Sequence, residues 1–68
     1  MPDLLPAAPP PTIHQQIASV EREIAMRKRV YPRWIDGGRM TQAKADHEIA
    51  CMQAVLVTLQ HVKQQGQH

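Results

Sequence analysis

Apolar residues fall into two helical stripes separated by a break. In the first, Ile13, Ile17, Val20 and Ile24 follow one another at spacings of four, three and four, the period that keeps side chains on one face of an α-helix. Continuing that line reaches Arg27 and Tyr31, so the stripe turns polar and then aromatic. Met26 and Val30 lie beside it and are expected to widen the buried face. In the second stripe, Ala45, Ile49, Met52, Leu56 and Leu59 are spaced four, three, four and three, a heptad-like seam with Val55 and Val62 on its flank. No strand-like alternation competes with these patterns; Val55, Leu56 and Val57 favour β-structure individually but sit inside a longer helical period.

Start and stop signals bound the two stripes. Thr12-Ile13-His14-Gln15 reads as a capping box, with a hydroxyl for the first-turn amides and a Gln able to reach back. Pro32 carries no amide proton and disfavours helical geometry at Tyr31, so the first helix is predicted over 12–30. Residues 31–40 are then a turn, in which Pro32 to Asp36 could form a short helical piece ended by Gly37 or Gly38 in a left-handed cap. Trp34, Ile35 and Met40 would fold back with Tyr31 as an apolar lid. Thr41 is the natural N-cap of a second helix, predicted over 42–64, with 65–68 fraying. Residues 1–11 contain five of the six prolines and read as an extended, disordered leader. Its Pro6-Ala7-Ala8-Pro9 matches PxxP without an adjacent basic anchor, so it is read as a plain tail.

Two helices joined by a turn define an all-α fold, an antiparallel two-helix hairpin. A chain of 68 residues makes a single small domain that buries little of its surface, and its one cysteine, Cys51, precludes an intramolecular disulfide. The expected support is a second copy. A homodimeric four-helix bundle would close the seam formed by Ile17, Val20, Ile24, Ile49, Met52, Leu56 and Leu59.

Charge changes this picture at the turn. The net charge is only +2, yet Arg22 to Lys44 holds seven basic residues against two acids. Arg27, Arg29, Arg33 and Arg39 surround Tyr31 and Trp34, and these six are the expected contact residues for a partner. Arginines interleaved with aromatics suit phosphates and unpaired bases; the plainer reading is a solvated face over a packed lid. No complete nucleic-acid-binding motif is present.

Candidate chemistry adds little. His47 and Cys51 share a helical face and are zinc-compatible ligand types, but two ligands do not make a site, and Cys51 is expected to act as a small buried apolar group. Ser19 has no His or acid at a suggestive spacing, and Asp46, His47 and Glu48 are consecutive, so they point in different directions. No catalytic, cofactor-binding or metal residue is assigned, and the expected chain is not an enzyme. The N-terminal Met-Pro-Asp-Leu-Leu-Pro lacks the basic start and apolar core of a secretory signal, and no apolar run approaches the roughly 18 residues needed to span a bilayer. With the lone Cys, this sets the expectation of a cytoplasmic protein without a membrane partner.

The words Glu-Ile-Ala-Met-Arg-Lys-Arg-Val-Tyr-Pro-Arg-Trp-Ile, beginning at Glu23, and Gly-Arg-Met-Thr-Gln-Ala-Lys-Ala-Asp-His-Glu-Ile, beginning at Gly38, resemble a group of small uncharacterised proteins carried by bacteriophages and prophages of proteobacteria. The resemblance spans Glu21 to Leu56 and excludes the Pro-rich leader. It implies a phage accessory protein working in a bacterial cell and brings no activity and no site residues. The function expected is therefore non-enzymatic binding of a host or phage protein, as in inhibitors of host machinery or defence. Nucleic-acid binding through the basic turn and a structural assembly role are the alternatives.

Overall fold

A computed structural model describes residues 9–66. Among them are two helices, α1 (Ile13–Asp36) and α2 (Gln42–Gln65), and no strand. They pack against each other as a hairpin. Each has 24 residues, a length of about 36 Å at 1.5 Å per residue. Residues 1–8 of the Pro-rich leader and the last two residues of the 65–68 tail lie outside the described residues. Pro9, Pro10 and Pro11 are exposed and belong to neither helix.

Both helices begin as their caps dictate. Thr12 accepts the Gln15 amide on its hydroxyl at 3.1 Å and donates its own amide to the Gln15 side chain at 2.9 Å, a complete capping box. The Gln16 side-chain amide donates to the Pro11 carbonyl at 3.1 Å. Thr41 accepts the Lys44 amide at 3.1 Å. At both caps the threonine hydroxyl accepts a backbone amide that has no partner within the helix.

The first helix does not stop at Val30. It continues through Pro32 to Asp36, so the predicted turn over 31–40 shrinks to the connection 37–41. Pro32 removes one backbone hydrogen bond and crowds the preceding turn, at a cost of about 3 kcal/mol. Continuing the helix keeps Tyr31 on the buried stripe at 7% exposure and leaves Ile35 half-buried. Burying a large side chain is worth about 1.5–3 kcal/mol, so the two contacts offset the proline. The Pro32 ring faces solvent.

Reversal follows in the backbone alone. Gly38 donates to the Ile35 carbonyl at 3.1 Å and Arg39 to the Trp34 carbonyl at 2.8 Å. With Gly38 at φ +75°, this is the paired-bond arrangement of a Schellman cap, and the left-handed position is the one that glycine fills without steric cost. Of the two glycines considered for the left-handed cap, Gly38 fills it; Gly37 has φ −81°.

The core is thin. Ile17, Ile24 and Tyr31 of α1, seven residues apart, and Ala45 of α2 are the buried apolar side chains among the described residues. Val20 on α1 and Ile49, Met52, Leu56 and Leu59 on α2 are only half-buried, so of the expected seam only Ile17 and Ile24 are buried and the α2 side stays open. Met26, expected to widen the buried face, is 39% exposed, because it falls two residues beyond Ile24 and therefore on the opposite side of the helix.

Candidate interaction surface

Four of the six expected contact residues are open to a partner. Arg29, Arg33, Trp34 and Arg39 are exposed. Tyr31 is corrected from contact residue to core residue, since its ring lies on the α1 stripe facing α2. Arg27 is half-buried and ion-paired with Glu23, one turn earlier; its guanidinium also donates to the Glu23 carbonyl oxygen at 3.3 Å. The Glu23 hydrogen bond holds the Arg27 pKa above its ordinary value, against a smaller lowering by desolvation, and the Tyr31 hydroxyl adds to the rise. Arg27 is thus tied to its own helix rather than presented outward.

The expected lid is not formed. Trp34 sits in the last turn of α1, with its ring centroid 5.6 Å from that of Tyr31 and the planes tilted by 40°. It shields Tyr31 from one side while remaining 41% exposed. Continuation of the helix through Pro32 places it there: a chain that broke at Val30 could fold Trp34 over the end, whereas a helical Trp34 is fixed beside the residue three positions back.

The outer face of α1 carries a feature missed by reading the turn as the basic centre. Arg22, Arg29 and Arg33 are separated by seven and four residues, and all are exposed, which aligns them on the side of the helix opposite Ile17, Ile24 and Tyr31. Beside them, Met26, Val30 and Trp34 follow at intervals of four, a ridge of apolar groups running about 12 Å along the axis. Only two ion pairs occur among the described residues, Glu23 with Arg27 and Lys44 with Glu48 at 3.1 Å, so the three outer arginines have no carboxylate partner. The signal was present in the spacing, but the predicted break at Val30 cut the row in two.

A second open region lies along one side of the hairpin. Where two right-handed helices run antiparallel, residues rotated from the seam in the same sense reach the same side. Val20 of α1 and Val55 and Leu59 of α2 accordingly line one groove, with Gln16, Ser19 and Arg22 at its edge. Val55 and Val62 are 45% and 50% exposed. The opposite side is more polar: a cleft of about 250 Å³ has an apolar floor of Tyr31, Ile35, Ala45 and Ile49 and carboxylates at Asp36 and Asp46.

Compared with family models, curated proteins and solved structures, the chain matches none. Its surface chemistry therefore stands on the geometry. Cys51 Sγ and His47 Nε2 are 3.5 Å apart, and among the described residues no group of three or more His, Cys, Asp or Glu side chains is placed to hold a metal ion. Cys51 is exposed, a correction to its expected burial; it lies on the α2 face pointing away from α1. No helix among the described residues is long and apolar enough to cross a membrane.

Proposed function

We propose that this chain is a small non-enzymatic binding module that pairs with a second copy and engages a host or phage protein in the bacterial cytoplasm. The cellular setting is the one its resemblance to phage and prophage proteins implies, where an inhibitor of host machinery or defence is a fitting role. The observation that carries the reading is the distribution of apolar groups on α2: one set meets α1, while Val55, Leu59 and Val62 continue round to an open side. A helix apolar on more than one face belongs to a larger packed assembly. Two hairpins meeting through this side, with Val20 contributed by α1, make a four-helix bundle. This adds to the expected seam its flanking valines, Val55 and Val62.

Sedimentation equilibrium of the full chain at tens of micromolar tests the pairing. A dimer that dissociates on Val55→Glu with Val62→Glu, with helical content retained at high protein concentration, supports it; a cooperatively folded wild-type monomer at that concentration refutes it. Affinity capture from a bacterial host lysate tests the partner half, with one dominant protein expected.

The unpaired arginine row on α1 favours a second reading, an anionic nucleic acid as partner. Titration with short single-stranded and duplex DNA and RNA at low and moderate salt decides it. Absence of binding at micromolar protein in low salt removes that reading.

A further inference from the structure

We infer that the outer face of α1, from Arg22 to Trp34, is the surface that meets the protein partner, and that it fits an apolar groove rimmed by carboxylates. This rests on the protein-binding reading above and names the chemistry of the partner.

Three observations support the assignment. Met26, Val30 and Trp34 recur at intervals of four, with Met26 and Trp34 about two-fifths exposed, which is the anchor spacing of a helix laid into a groove. Arg22, Arg29 and Arg33 flank that ridge with no acid among the described residues paired to them. Exposed Met26, Trp34 and arginine side chains gathered around a half-buried Val30 match the composition of interface centres, where Trp and Arg dominate the energetics. The ridge thus supplies buried area, and the arginines supply orientation through bidentate pairing with carboxylates.

Charge selects the occupant. A second copy seated here would bring Arg29 and Arg33 against their own counterparts, so this stretch is poorly suited to self-association; Arg22, which also edges the Val20, Val55 and Leu59 groove, does not bear on that choice. A nucleic acid would use the arginines but leave Met26 and Val30 without a role, and Trp34 already has Tyr31 beside one part of its ring. A protein groove uses both rows.

The test begins with capture by the full-length chain from nuclease-treated bacterial host lysate, followed by identification and purification of the dominant protein recovered. Its affinity is then measured for wild type, for Met26→Ser with Trp34→Ala, for Arg29→Glu with Arg33→Glu, and for Val57→Ser on the other side of the hairpin as control. The first variant is expected to weaken binding at least tenfold at every salt concentration, since it removes anchors. The second is expected to weaken it at least tenfold at low salt and to flatten the salt dependence, with the control unchanged. Circular dichroism confirms that each variant remains helical, and cross-links from position 29 should map to carboxylate-bearing segments of the partner. Affinity indifferent to both variants overturns the inference while leaving the protein-binding reading standing. Wild type that captures no protein overturns both. Duplex or single-stranded probes bound with the same variant sensitivity assign the surface to nucleic acid and overturn it as well.

Discussion

Replacing Pro32 with Ala tests the most unexpected feature of the fold, the passage of α1 straight through a proline. Pro32 lies inside the helix and its ring is exposed, so the substitution opens no cavity and removes no core contact. It restores one amide, able to donate to the Lys28 carbonyl four residues back, and relieves the ring's crowding of that turn. The regained hydrogen bond alone is worth about 1 kcal/mol, and the full helix-interior difference between Ala and Pro is about 3 kcal/mol. A gain of about 2 kcal/mol is expected, raising the Tm by about 8–16 °C for a domain of this size. Urea denaturation followed by helical circular dichroism measures it, with both proteins at one fixed concentration because the stability of a self-associating chain depends on concentration. If Pro32 instead opened a separate turn after Val30, alanine would lose the rigidity that proline lends the unfolded comparison and cost about 0.4–1 kcal/mol. An unchanged or lowered midpoint would therefore refute a continuous α1.

Other perturbations address the remaining features. Gly38→Ala should destabilise by about 1–2 kcal/mol, and the loss comes from the left-handed backbone alone, because a Cβ there meets nothing within 4 Å; a D-alanine at the same position, introduced by synthesis, should be at least neutral in the same melt. Thr12→Ala should cost about 1 kcal/mol by removing the capping hydroxyl, read as a lowered urea midpoint, with a midpoint unchanged within error counting against the cap. Cys51 should react with a thiol reagent in the folded protein at a rate close to that in denaturant, since it is exposed; strong protection in the wild type that disappears on dilution would instead locate it at the dimer contact.

Much of the hairpin was legible from local chemistry. Thr12 with Gln15, Thr41 and Gly38 mark helix ends through hydrogen bonds that involve only nearby residues, and such signals survive without knowledge of the rest of the fold. Pro32 misled for the complementary reason. Its cost is local, whereas what offsets it, burial of Tyr31 and partial burial of Ile35 against α2, depends on tertiary packing that spacing alone does not weigh. The contact surface inherited that error: with a break at Val30, the arginines read as a cluster in a turn, and Tyr31 as a neighbour of Trp34 in a lid. Once the helix runs on, Tyr31 turns into the seam with Trp34 half-exposed at its edge, and Arg22 lines up with Arg29 and Arg33, eleven positions from first to last. The open side of α2 was hidden differently, since Val55 and Val62 lie three residues from Met52 and Leu59 and merge with them in any list of apolar positions.

The uneven core also shapes how the hairpin opens. Tyr31 and Ala45 lie close to the five-residue connection, while the half of α2 beyond Met52 has no buried side chain. Backbone amides near the connection should then exchange with solvent only on full unfolding, and those of the last turns of α2 through small local excursions. The molecule resembles a peg, stiff at its hinge and loose at its tips, and a second copy closing on Val55 and Val62 would clamp the part that one copy holds least firmly.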